Sequence, residues 1–366
     1  MQLIKNTLVL CAALVAFNVS AFAGGEGWSS DFAAAQKQAA ESNKDLLIDF
    51  TGSDWCGWCI KLNNEVFKLD PFKAGVKDSF VLVEVDFPKD KAKLSEATQK
   101  QNSELAKKYA VAGFPTIMLS DAAGRPYAVT GYAPGGPEKY VSLLQELRAK
   151  KAKRDEAFAA AAKAEGLAKA KLLIEGLNAM ELDDALVANL YGDVVANIRL
   201  LDKDDTTGYA KAKAAAAAKK AAAIQMEKDV NQFFNTKIKP LKQANDLTKA
   251  LLEVKAYIKE HTNLPEQYMV GMLLDIGFSG LMDKKNSQTA LSFVDDVAKE
   301  CPTSEFAKND DSRVNVLLVV AVEGPKNSQV TMSFVDAVAK HYPNSELAKN
   351  LDKFKEKING QLNSSP

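Results

Sequence analysis

Over roughly the first 150 positions, short apolar runs alternate with segments of helical spacing; beyond them helical spacing continues alone. Residues 46–50 and 80–87 predict buried strands, the second rich in valine. Residues 116–120 and 127–129 predict a hairpin turning at Asp121-Ala122-Ala123-Gly124. Between them, residues 31–42 predict a helix capped by Ser29-Ser30, residues 56–67 a second and residues 94–109 a third. Gly135-Gly136-Pro137 opens a closing helix, with proline near its first turn. Strands alternating with helices, then a hairpin and a last helix, predict an α/β domain ending near residue 150.

From there the composition shifts. Residues 153–240 are rich in alanine and lysine, strong helix formers, and predict a long solvated helix or helical hairpin. Residues 241–366 repeat internally: the stretch 286–309 recurs at 327–350, offset by 41 positions, with 16 of 24 residues identical. Asn245 lies another 41 positions upstream and opens a divergent third copy, with Leu251, Val254 and Ile258 at helical spacing. Each copy predicts a helix, a proline-marked turn and a second helix. Such a period indicates an all-α solenoid of tetratricopeptide or HEAT-like character.

The 366 residues carry 47 basic and 47 acidic side chains, so nothing points to nucleic acid or an anionic membrane surface. Residues 1–23 predict an export signal: Lys5, an apolar core over 8–19, and Ala21-Phe22-Ala23 as cleavage site. The mature chain, residues 24–366, keeps Cys56, Cys59 and Cys301. Three cysteines make no disulfide framework, so packing must supply stability. A zinc site needs about four Cys/His ligands. The two histidines, His261 and His341, lie far off in helical sequence, so no metal is expected.

Trp55-Cys56-Gly57-Trp58-Cys59 follows the first strand and opens a helix. At a helix N-terminus, free N–H groups and the dipole favour a thiolate on the first cysteine, which should be exposed. The spacing lets Cys59 resolve a mixed disulfide formed at Cys56. As a structural staple the pair would constrain little, because the loop it closes is so short. Cys301 aligns with Tyr342 in the next repeat, an apolar corner, and predicts a packed free thiol.

Asp49-Phe50, the Trp55–Cys59 motif and Tyr109-Ala110-Val111-Ala112-Gly113-Phe114-Pro115-Thr116 together resemble the thioredoxin superfamily. Residues 51–62 are similar to those of secreted, periplasmic thioredoxin-like proteins, including Dsb-type thiol reductases. The resemblance covers residues 27–150, about a third of the chain, within a thioredoxin-like domain expected at 24–152, and implies a central mixed sheet flanked by helices. It implies that Pro115 is cis and faces the cysteines, and that the Phe114 backbone and Thr116 border an extended substrate segment. It gives Asp49 a proton-transfer role toward Cys59. The link 51–54 is one residue longer than usual, so Asp49 could instead serve a turn, and Leu82 stands where a lysine often partners that acid. Trp55 and Trp58, with Gly57 between the cysteines, form either an apolar contact surface for a polypeptide or a patch packed on its own domain.

These readings lead to an exported, periplasmic or envelope thiol–disulfide oxidoreductase. Its expected form is a reductase of envelope protein disulfides, with no cofactor beyond the dithiol. A membrane thiol protein would supply electrons, and the repeats would recruit substrate or partner proteins. An oxidase or isomerase with the same site, and a repeat scaffold with a vestigial redox domain, are the alternatives.

Overall fold

The computed structural model describes residues 27–322 and 327–364. The predicted export signal lies outside the described residues. The chain forms two compact units, one through Lys213 and one from Ala214.

Five strands make the sheet of the first unit: β1 (Trp28–Ser29), β2 (Asp45–Thr51), β3 (Phe80–Asp86), β4 (Thr116–Ser120) and β5 (Pro126–Thr130). Their order is β1-β3-β2-β4-β5; β1, β3 and β2 run parallel, while β4 and β5 are antiparallel to their neighbours. β2 is buried at every position, as a central strand covered on both faces must be. The edge strand β1 was not predicted: two residues are too short for a periodic signal. Next to it, Asp31 rather than Ser29 or Ser30 caps α1 (Phe32–Ser42), accepting from the Ala34 N–H.

α1 and α4 (Glu96–Lys108) cover one face of the sheet through Phe32, Ala35, Ala39 and Leu105. α2 (Gly57–Leu62), continued by a π-helical turn over Asn63–Phe67, covers the other with α3 (Asp70–Val76) and α5 (Gly136–Ala162). Asp45 holds α5 in place: its buried carboxylate takes Lys151 Nζ at 2.8 Å, Arg148 Nε at 3.2 Å and the Tyr127 hydroxyl at 2.8 Å.

The core of this unit does not stop near residue 152. α6 (Gly166–Met180), α7 (Asp184–Leu190) and α8 (Gly192–Leu201) follow. Leu173, Leu177, Met180 and Ile198 join the same apolar cluster as Leu47, Phe67 and Tyr140. Tyr191 fixes the arrangement, donating to the Pro126 carbonyl and accepting from Arg154, each at 2.8 Å. Alanine-rich composition signalled solvated helix here, whereas the sparse Leu, Tyr and Ile among the alanines carry the packing. α9 (Tyr209–Phe233) begins in this unit and ends in the second.

The second unit continues with α10 (Lys239–Gln243), α11 (Leu247–Glu260), α12 (Glu266–Ile276), α13 (Ser287–Glu300), α14 (Glu305–Lys308), α15 (Asp310–Val322), α16 (Ser328–His341), α17 (Glu346–Lys349) and α18 (Leu351–Ser364). The repeat is visible in its caps. Asn286 and Asn327 cap α13 and α16, and Ser304 and Ser345 cap the single helical turns α14 and α17, which stand between the two predicted helices of each copy. Buried pairs recur as Ala250/Val254, Ala290/Val294 and Thr331/Val335. The first copy is displaced by one residue: Asp246, not Asn245, caps α11, and Asn245 takes a left-handed φ of 56°.

Candidate functional site

Cys56 is the N-cap of α2 and is joined to Cys59 by a disulfide. The Cys59 N–H donates to Cys56 Sγ at 3.2 Å, so the sulfur already occupies a helix-cap acceptor position. Cys56 is 7% exposed and Cys59 4%. The expected exposure of Cys56 is thus not seen in this disulfide state, where its sulfur is drawn toward Cys59 and the helix end.

The long link before the motif is pinned at each residue. Both Cys56 and Trp55 donate backbone N–H groups to the Gly52 carbonyl, at 2.9 and 3.3 Å. A Cβ on Gly52 would meet the Trp55 ring at 2.6 Å, so this position needs glycine. Ser53 donates to Asp86 through N–H and hydroxyl, at 2.8 and 2.6 Å. Asp54 takes the Lys89 N–H at 2.9 Å and Lys93 Nζ at 2.8 Å, and these donors hold its carboxyl below its ordinary range. The extra residue is therefore absorbed in a tethered turn.

Around the disulfide lie aromatic rings. Trp55, 44% exposed, donates Nε1–H to the Phe87 carbonyl at 2.8 Å and meets Phe114 edge-on at 5.9 Å. Phe87 in turn stacks on Phe114 at 5.2 Å. Trp58 is 58% exposed; its ring lies 5.1 Å from Tyr132, and the Lys61 ammonium sits about equally over both rings, at 5.1 and 5.0 Å. Tyr132 donates to Glu65 at 2.7 Å. Both tryptophans thus combine an anchored edge with an exposed face. Nothing lies within 4 Å of a Cβ built on Gly57, so the space above the motif is open.

The Phe114–Pro115 peptide is cis. The Thr116 hydroxyl is turned back on its own bend, donating to the Gly113 carbonyl at 2.7 Å. Thr116 pairs with Phe50 across β2 and β4, which brings the bend to the end of β2 that leads to Cys56.

Asp49 lies on the face that α2 covers. Leu47, two residues earlier, packs with Leu62 and Val66 there, and side chains alternate along a strand. Asp49 is 7% exposed and its Oδ1 has no hydrogen-bond partner. Burial first, then the charges of Glu84 and Asp86, push its carboxyl well above the usual carboxylate range. Glu84, Phe87, Lys61 and Tyr132 were missed by sequence reasoning. A glutamate among valines in a buried strand was the available signal for Glu84; the others become neighbours only through the fold.

A model of the thioredoxin-like domain family matches residues 32–148. The disulfide bond reductase DsbH of Chlamydia pneumoniae is 40% identical over 118 residues, spanning 32% of this chain and 70% of that protein. This chain belongs to the thioredoxin-like family. Another thioredoxin-like relative, the thioredoxin-related protein DsbJ of Chlamydia pneumoniae, is 29% identical over 123 residues; the match spans 32% of this chain and only 35% of that protein. A solved DsbH oxidoreductase is 36% identical over 33% of this chain and 82% of its own length, with a TM-score of 0.32. The family, the Dsb-type relatives and the Cys56–Cys59 disulfide support a thiol–disulfide redox role for this domain.

Proposed function

We propose that the chain is an exported protein-disulfide reductase whose electrons are carried by Cys56 and Cys59 alone. The observation that carries this reading is the Cys56 sulfur, held as acceptor at the N-terminus of α2 in a motif whose two tryptophans are exposed.

In the reduced state the Cys56 thiolate attacks one sulfur of a substrate disulfide. The substrate S–S bond breaks, a mixed disulfide forms, and the other substrate sulfur leaves as a thiolate. Asp49, once it has lost the proton that burial favours, takes the Cys59 proton on its carboxylate. The Cys59 thiolate then attacks Cys56 Sγ, closing the intramolecular disulfide and releasing the second substrate thiolate. Two electrons pass from the dithiol to the substrate. Trp55, Trp58 and Phe114 offer the apolar contacts, and the backbone beside Pro115 pairs with an extended segment.

Direction is supported by two features. The residues between the cysteines, Gly57 and Trp58, carry no cation that would stabilise the thiolate and make the pair strongly oxidising. The relative at 40% identity is named a reductase. An envelope reductase needs a source of electrons, for which a membrane thiol protein is the fitting class. The repeats of the second unit would recruit substrate or partner.

The test is the reduction potential of Cys56–Cys59 in the mature chain against glutathione or dithiothreitol buffers. A value near or below about −240 mV is expected of a reductase. A value near about −130 mV overturns the direction and makes the chain an oxidase or isomerase.

A further inference from the structure

β2 and β3 run in parallel register with Asp49 opposite Glu84 and Thr51 opposite Asp86. Alternation then places Asp49, Glu84 and Asp86 on one face, the face carrying Leu47 and Leu82. The three carboxyls differ in access. Asp49 is buried with an unpartnered oxygen. Glu84 is half-buried. Asp86 is half-buried too, and both its oxygens are held by Ser53 in the turn that leads to Cys56. Among the described residues no group of three His, Cys, Asp or Glu is arranged to hold a metal. A leucine would fill the Glu84 position at lower cost, because a carboxyl facing the core loses hydration. Packing therefore gives no reason for a glutamate here.

We propose that Glu84 is a positioning residue for dithiol exchange: its carboxyl relays protons between solvent and the buried Asp49. The inference rests on the reading of Cys56–Cys59 as an exchanging pair, but not on the direction of exchange. When Cys59 gives its proton to the Asp49 carboxylate, that proton passes to the Glu84 carboxylate and from there to solvent; reduction runs the same path backward. No other reactant is required. Glu84 is only half-buried, so its carboxyl can exchange protons with water while Asp49 stays enclosed.

The groups around Glu84 fit this task. Asp49 faces it from β2 and Asp86 from β3. From α5 comes Tyr140, whose hydroxyl donates to the Gly131 carbonyl at 2.9 Å and is made less acidic by burial and by Asp49. Burial and the Asp86 charge raise Glu84 to about 7, where a carboxyl exchanges protons readily in both directions.

The experiment uses the full mature chain. The rate of oxidation by oxidised glutathione, and of reduction by glutathione, is followed through tryptophan fluorescence from about pH 5 to about pH 9. E84Q should slow both directions by about ten-fold and erase the inflection near neutrality, while E84D keeps that inflection. Two results overturn the relay: an E84Q rate within about two-fold of wild type across the range, or a slow E84Q that keeps the wild-type inflection. The reduction potential tests the reductase reading separately. An oxidising value sinks that direction and leaves the Glu84 result standing.

Discussion

Cys56 and Cys301 lie at opposite ends of helices, one in each unit. Cys56 caps the N-terminus of α2 and takes a backbone N–H on its sulfur. Cys301 follows the last turn of α13, at the end where carbonyls point outward and the dipole is negative. Burial pushes the Cys301 thiol up, and Glu300 and Glu266 push it further. Both cysteines are buried, so exposure does not separate them. Polarity of the helix end does, and it favours a thiolate at Cys56 and a protonated thiol at Cys301. The surroundings follow the same division. The first unit keeps an unpartnered buried carboxyl and exposed tryptophans beside its cysteine, whereas the second repeats a capped, apolar pattern around its own.

The largest test of this contrast is Cys56→Ser. Exchange with glutathione should fall by about 10³-fold or more, because no other thiolate is placed to attack. The check is the rate of fluorescence change on mixing with oxidised glutathione, and residual exchange above a hundredth of wild type would break the comparison.

Next comes the extent of each unit. The three tryptophans, Trp28, Trp55 and Trp58, all lie in the first unit, so their fluorescence reports its unfolding alone. Leu177 of α6 is 4% exposed in the core that holds Tyr140, and Leu317 of α15 is fully buried in the other cluster. Leu177→Ala and Leu317→Ala should each cost about 2–5 kcal/mol. The first should appear in the tryptophan transition and the second only in the helical circular dichroism. A tryptophan transition unmoved by Leu177→Ala would return the boundary to residue 152.

That boundary shows what the chain discloses before folding and what it withholds. The order of β2, β3 and the hairpin was legible because buried strands need unbroken apolar runs and turns need residues such as Gly124, at φ 78°. The dithiol was legible because its chemistry is local to Cys56–Cys59. The 41-residue repeat was legible because Asn286 and Asn327 cap equivalent helices. Hidden were features made by distant partners. Tyr191 belongs to the first core through Pro126 and Arg154, 65 and 37 residues away, which no local pattern announces. The Asp49–Glu84 pairing depends on strand register, and Trp58 meets Tyr132 only across the sheet's end.

Stability against pH gives a smaller effect with a defined sign. Glu84 holds its proton to about 7 in the folded chain, against an ordinary value of 4.5. Between those values the folded state binds more protons than the unfolded state, so stability falls as pH rises through that window. Asp49 is shifted in the same direction. Glu84→Gln removes the Glu84 part and should make the folded chain more stable at pH 8 relative to wild type by about 1–3 kcal/mol, with little difference at pH 4. Denaturant midpoints at the two pH values decide it, and an equal change at both would mean that Glu84 titrates alike in both states.

The smallest effect belongs to Cys301. Removing its sulfur leaves a small void in a corner that Tyr342 fills in the next repeat, where that tyrosine donates to Asp295 at 2.7 Å. Cys301→Ala should cost about 1 kcal/mol and leave both the exchange rate and the potential of the dithiol unchanged. Thiol titration supplies the sharper reading. In the oxidised native chain Cys301 is the one free cysteine among the described residues, so a thiol reagent should react slowly until denaturant is added and then with one equivalent. Fast reaction in the native state would place Cys301 among reactive thiols. The difference in helix ends would then no longer account for why one cysteine exchanges and the other does not.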